Sequence, residues 1–304
     1  MEFRRLKLSS CRINSEELDI FYKNEKHPVD IMTPFPIIVE KNRSKFDVIY
    51  GFQKYRNYKN KNYTEIPAYI LENPTLIKKV TTLIRYQRNQ RELYPIEIAK
   101  IIKILLSSGV EKKVIATDIA DSLGINRGYK LTDKYLELNT IPQYIIDFLL
   151  LKTDSLKIWS RFTNRNENIF KIILDYTSPT LSEFLEIEKN LFEIAKRQNS
   201  SIDEAAAEYN LFSIIQENAQ NIKKIRKILQ EIRYPILSRH RTRINNELKN
   251  LKVPENLFVE PDKSLETKSI SLSAYITSEE DISRLRNFLN EENVSKLKDI
   301  LDLL

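Results

Sequence analysis

Residues 114–137 read Val114-Ile-Ala-Thr-Asp-Ile-Ala-Asp-Ser-Leu-Gly-Ile-Asn-Arg-Gly-Tyr-Lys-Leu-Thr-Asp-Lys-Tyr-Leu-Glu137. Ile115, Ile119 and Leu123 recur every four residues and fall on one helical stripe. Gly124 follows, where a helix that ends in a left-handed residue wants no Cβ. The spacing then predicts a second helix capped by Asn126, with Arg127, Lys130 and Lys134 turned outward and Leu131, Tyr135 and Leu138 inward. Two helices joined by so short a turn read as a helix-turn-helix, and a basic second helix is what a reader of duplex DNA needs. Thr117, Asn126, Arg127, Tyr129, Lys130 and Lys134 are the candidate DNA contacts, the cations for phosphate or guanine and Tyr129 for a phosphate or a thymine methyl. A packing role beside Leu131 is the competing reading for Tyr129.

The chain-level numbers agree with this use. At 304 residues the chain fits two or three domains. Lys and Arg outnumber Asp and Glu by 49 to 42, which favours polyanionic partners. The single cysteine, Cys11, excludes an intramolecular disulfide, suits a reducing compartment, and reads as a small buried hydrophobe. Met1 to Leu8 lacks an apolar signal core, and no run approaches the roughly 18 apolar residues of a membrane span. The expectation is a soluble cytoplasmic protein, nucleoid-associated, with no membrane partner. His27 and His240 lie far apart and no paired-ligand spacing exists, so no protein-ligated metal is expected.

The pattern along the chain predicts an α+β protein of four parts. Residues 1–73 form a small mixed-sheet domain: short alternating runs at Phe3 to Leu8, Phe35-Pro-Ile-Ile-Val39, Phe46 to Tyr50 and Ile66 to Leu71 read as strands, with Pro34, Pro36 and Pro67 at strand edges, and Gln53 to Asn60 reads as a helix. Residues 74–145 hold the helix-turn-helix, preceded by a helix that starts at Pro95. Residues 146–250 are helical, with capping-box spacing at Thr180/Glu183 and Ser201/Glu204. Between Asn221 and Arg243 stand eight Lys and Arg against one acid, Glu231, beside an apolar stripe of Ile222, Ile225, Ile228, Leu229 and Ile232. A solvated face on a packed helix is the leading reading there, and an auxiliary contact to the DNA backbone is the alternative. Residues 251–304 supply an alternating strand, Lys268 to Ile276, and a helix capped by Ser278 and Asp281 that runs to Leu304. One strand and one helix cannot cover both their apolar faces, so this element is expected to make a homodimer.

A second motif, Tyr50-Gly-Phe-Gln-Lys-Tyr-Arg56, leaves a strand and enters a helix, where backbone N–H groups and cations converge on an anion. The stretch Lys41 to Lys61 also carries Arg43, Lys45 and Lys59, with Asp47 its one acid. Together with Pro36-Ile-Ile-Val39, Gln90-Arg91, Pro95-Ile-Glu97 and Ile119 through Leu138 and Pro142, this order of motifs resembles the ParB-like family over roughly residues 1–150. The resemblance implies a ParB/sulfiredoxin-type N-terminal domain and a chromosome or plasmid partition protein, dimeric, bound to DNA through its helix-turn-helix, with a partition ATPase as a further partner. It also implies CTP with magnesium, the phosphates held by Gly51, Gln53, Lys54, Arg56 and Arg91. The chain departs from the family where Phe52-Gln53 replaces a Glu-Arg pair. At Tyr86-Gln-Arg-Asn89 it lacks the Glu-Asn pair of nucleotide-hydrolysing relatives, so no catalytic residue is assigned and triphosphatase activity is expected to be weak or absent. The alternatives are an enzyme on the same fold, a small-molecule kinase or nuclease with Glu40, Asp47 or Glu72 as base, and a helical adaptor or regulator.

Overall fold

The computed structural model describes residues 1–22, 35–150, 152–262 and 268–303. His27, Pro34, Leu304 and residues 263–267 of the expected dimerisation element lie outside them. The chain divides into two compact units, Met1–Asn166 and Glu167–Leu304.

In the first unit β1 (Glu2–Lys7), β2 (Cys11–Arg12), β3 (Ile37–Asn42), β4 (Lys45–Tyr50) and β5 (Glu65–Glu72) form a five-stranded mixed sheet in the order β1-β5-β3-β4-β2. β5 runs antiparallel to β1 and parallel to β3, while β4 runs antiparallel to β3 and parallel to β2. Ile37, Ile38 and Val39 are apolar in succession because both faces of this central strand are covered. On one face α1 (Phe52–Asn60) brings Phe52 and Tyr55 onto Ile37, Val39, Val48 and Ile66. On the other α2 (Leu76–Arg88) brings Leu83 and Tyr86 onto Ile38, Ile49 and Leu71. Cys11 is buried in the first of these layers, as expected, and burial pushes its thiol pKa up.

Beyond the sheet, α3 (Pro95–Ser107) starts at its first-turn proline, and the Tyr94 N–H donates to Glu97 Oε2 at 2.8 Å. A continuous helical run follows, Lys112–Val114, a π-helical turn Ile115–Ile119, and Ala120–Leu123, then a turn, then a helix Tyr129–Glu137. Gly124 ends the first run with φ 74°, the left-handed position foreseen for it. The second helix is not capped by Asn126. Its cap is Gly128, whose φ of 145° suits a residue without a side chain, and whose N–H reaches back to the Ala116 carbonyl at 3.3 Å. That bond fastens the start of the second helix to the π turn of the first. Tyr135 and Leu138 are buried as the spacing required, Leu131 is half-buried, and Thr132 joins the inner face through a hydrogen bond to the Gly128 carbonyl.

In the second unit the capping boxes at Thr180/Glu183 and Ser201/Glu204 open the helices Leu181–Gln198 and Ile202–Glu208. Ile222–Arg233 buries Ile225 and Leu229, and Pro235 begins a separate helix, Pro235–Asn250. The expected lone C-terminal strand is corrected here: β7 (Ile270–Ala274) pairs antiparallel with β6 (Leu257–Pro261). The expected single last helix is two, Glu279–Phe288 and Glu291–Leu303, the first capped by Ser278 and Asp281. Leu297 and Ile300 pack on Ile244, Leu251, Leu257 and Phe288, so part of the tail's apolar face is covered within the chain.

Candidate nucleic-acid interface and anion box

The turn and the outer face of the Tyr129–Glu137 helix carry Asn126, Arg127, Tyr129, Lys130 and Lys134, all exposed. Their exposure follows from the inward stripe of Thr132, Tyr135 and Leu138, which leaves the opposite side of a short helix to solvent. Tyr129 is half exposed, and Lys112 Nζ lies 5.9 Å from its ring centroid while also pairing with Asp133. The ring therefore stands at the surface among cations. Thr117 is half-buried, and its hydroxyl donates to the Lys113 carbonyl at 2.9 Å and lies 2.7 Å from Asp118 Oδ1. Arg127 is engaged by Asp121, and the hydrogen bond from Arg127 holds the Asp121 carboxyl below the usual range.

Two residues that sequence reasoning passed over organise this region. Arg88, at the end of α2, donates from Nη1 to the Ser122 carbonyl at 3.2 Å and to that of Asp121 at 3.5 Å. A cation against the last carbonyls of a helix is favourable, and here it ties the sheet's α2 to the turn. A Cβ on Gly124 would stand 3.2 Å from that guanidinium, a second reason for glycine there. Asp121 is the other, and only its six-residue spacing to Arg127 hinted at the pair.

The anion box is built differently from its expected use. Gly51, at φ 83°, begins α1, and a Cβ there would meet Ile37 Cγ2 at 2.8 Å. Gln53 donates to Asn57 at 2.9 Å. Lys54 is buried, its Nζ donates to the Phe35 carbonyl at 2.9 Å, and burial lowers its pKa. Arg56 pairs with Glu16 at 2.5 Å and Asp19 at 3.5 Å. Arg91 is held by the fully buried Glu97 at 2.5 and 2.9 Å and by the Tyr22 carbonyl. Lys54, Arg56 and Arg91 thus each meet a carboxylate or carbonyl of the chain itself. A phosphate entering here competes with Glu16 and Asp19 for the partly exposed Arg56, and no group of three His, Cys, Asp or Glu among the described residues could by itself hold a metal.

Tyr50, Gln87 and Gln90 form an uncharged hydrogen-bonded network. Tyr50 donates from its hydroxyl to Gln87 Oε1 at 2.6 Å and accepts from Gln90 at 3.1 Å, and Tyr86 donates to the Pro36 carbonyl. Burial pushes the Tyr50 pKa up to about 12 and raises that of Tyr86 as well. The carboxylates considered as enzyme bases include two with fixed partners: Glu40 meets Lys79 at 2.5 Å, and Asp47 accepts from Arg12 at 2.6 Å and Asn42 at 2.8 Å.

No family model and no curated relative matches the chain. Among solved structures it is similar to the C-terminally truncated chromosome-partitioning protein ParB from Caulobacter crescentus complexed to the centromeric parS site, at 12% identity and a TM-score of 0.31, over 67% of this chain and 97% of that one. It is also similar to the same truncated protein complexed with CTP-gamma-S, at 12% identity and a TM-score of 0.24, over 53% of this chain and 99% of that one. Both TM-scores lie below one half. No helix among the described residues is long and apolar enough to cross a membrane.

Proposed function

We propose that the chain is a DNA-binding protein of the partition type that grips duplex DNA with residues 112–137 and works as a homodimer. The observation that carries this reading is the one-sidedness of the Tyr129–Glu137 helix. Its inner face is closed by Thr132, Tyr135 and Leu138, while Arg127, Tyr129, Lys130 and Lys134 stand exposed along the turn and outer face. Such a helix offers cations to phosphates and base edges with its backbone already fixed. The order of motifs over residues 1–150 supports the partition type. The N-terminal box enters as an anion-responsive element held closed by Glu16 and Asp19, and no reaction step is assigned to it. The homodimer reading is supported by apolar side chains that the C-terminal element leaves exposed, Ile276, Ile282 and Leu289 among them.

A filter-binding titration against genomic fragments in excess random-sequence competitor DNA, with and without CTP and magnesium, tests the proposal. Selective retention of particular fragments is expected. Uniform retention of all fragments, or of none, would overturn it.

A further inference from the structure

The helices Ile222–Arg233 and Pro235–Asn250 spend their apolar sides on packing. Ile225 and Leu229 are buried in the first, with Ile222 and Ile232 half-buried; in the second Ile244 is buried, with Leu237 and Leu248 half-buried on the same stripe. Two arginines are engaged by the neighbouring helix: Arg226 pairs with Glu183 and Glu186, and Arg233 donates to Asn190 at 2.9 Å. Lys223, Lys224 and Lys227 on the first helix, and Arg239 and Arg243 on the second, point to solvent instead. Between residues 221 and 250 the acids are Glu231 and Glu247, and the Lys227 to Glu231 contact is loose at 3.9 Å.

Lys223 and Lys227, like Arg239 and Arg243, are like charges four residues apart, a spacing that works against a helix. Lys223 is near enough to Glu183 of the neighbouring helix for its charge to help lower that carboxyl's pKa, and Lys227 faces Glu231, so among the described residues the uncompensated cations of this set are Lys224, Arg239 and Arg243. A polyanion lying along the outer side of either helix offsets that repulsion, and the counterions released favour its binding. At the elbow between the helices Tyr234 and Ile236 are exposed, and the Arg233 guanidinium lies 4.6 Å from the Tyr234 ring centroid. A membrane surface fits less well, because an interfacial helix must insert a whole apolar face, and here only Tyr234 and Ile236 at the elbow are exposed large hydrophobics.

We propose that this face is a second, sequence-independent nucleic-acid contact that binds the backbone of duplex DNA. It stands whether or not residues 112–137 read a sequence. The test uses the full chain, fluorescence anisotropy and a short duplex of random sequence over a salt series. Two variants are compared, Lys223→Gln/Lys224→Gln/Lys227→Gln and Arg239→Gln/Arg243→Gln. All five side chains are exposed, so helical circular dichroism should be unchanged, and having two separate variants keeps the test valid should one fail to fold. Each is expected to weaken binding about tenfold or more at low salt. The log–log salt slope should flatten by about 0.9 for every phosphate that the variant no longer neutralises. Unchanged affinity and slope in both variants would overturn the inference. So would binding of the parent to anionic phosphatidylserine vesicles but not to the duplex. Loss of duplex binding in Arg127→Ala/Lys130→Ala alone, with the glutamine variants behaving as the parent, would overturn this inference while leaving the proposed function intact.

Discussion

Arg127 and Asp121 close on each other across the turn, Nε donating to Oδ1 at 3.2 Å and a terminal nitrogen to Oδ2. Both side chains are more than half exposed, so the pair contributes little to stability. On the proposed function its consequence is competitive: a DNA phosphate has to take the Arg127 guanidinium from Asp121. Asp121→Asn is therefore expected to tighten DNA binding by up to about fivefold at low salt, since exposed pairs are worth about 0.2–1 kcal/mol. Weaker binding by this variant would show that Asp121 positions Arg127 for DNA and does not compete for it.

Arg127→Ala with Lys130→Ala removes two exposed cations without touching the inner face of the helix. Loss of about 1–3 kcal/mol is expected for each that meets a base edge, and a salt slope shallower by about 1 for each that meets a phosphate. Parent-like binding at several salt concentrations would exclude this helix as the reader.

The proposed anion box is tested at Arg56. Glu16→Gln combined with Asp19→Asn removes both carboxylates from its guanidinium while keeping their size. If the box is an anion site, calorimetry should show the variant binding CTP more tightly than the parent by up to about fivefold for each pair removed, because exposed pairs are worth about 0.2–1 kcal/mol. Neither protein is expected to release phosphate at an appreciable rate. Equal affinities would make the Gly51 to Arg56 segment a structural turn alone.

Self-association is best probed by point substitution. Leu297 and Ile300 belong to the core formed with Ile244, and truncating the tail would open that core. Ile282 is 53% exposed, so Ile282→Glu leaves the monomer's packing untouched. Sedimentation should show the parent as a dimer and the variant shifted toward monomer. A parent that sediments as a monomer throughout the accessible concentration range would exclude the homodimer.

Alkaline stability reports on the network of Tyr50, Gln87 and Gln90. The folded Tyr50 pKa, about 12, is above the ordinary phenol value of about 10, so the folded state holds the proton more tightly. Its stabilising effect is complete below pH 10 and is lost as pH climbs from 10 to 12, by about 2–3 kcal/mol in all. Tyr50→Phe should flatten that loss, at the cost of the bonds to Gln87 and Gln90, when denaturant midpoints are measured across this range. Phenolate absorbance titrating near pH 10 for every tyrosine of the folded parent would contradict it.

The features legible in the sequence were the local ones. The stripe of Ile115, Ile119 and Leu123 ending at Gly124, the start at Pro95, and the boxes at Thr180/Glu183 and Ser201/Glu204 are each decided within a few residues by backbone sterics and short hydrogen bonds. Ile37-Ile-Val39 likewise announced a strand through its β-branched run. Asn126 was the local misreading: its side chain can cap, but the turn closes two residues later, where Gly128 reaches the Ala116 carbonyl. Nothing local marked β2, two residues long, or the pairing of β6 with β7, because a strand's partner is set by where the chain returns. The same holds for charge. Lys54, Arg56 and Arg91 were visible as cations, but the Glu16 that meets Arg56 lies 40 residues away, and the carbonyl that meets Lys54 lies 19 away. Composition shows how many charges a chain has. Which of them meet one another is decided only by tertiary approach, because a Coulomb or hydrogen-bond partner must arrive within a few ångströms whatever its distance along the chain.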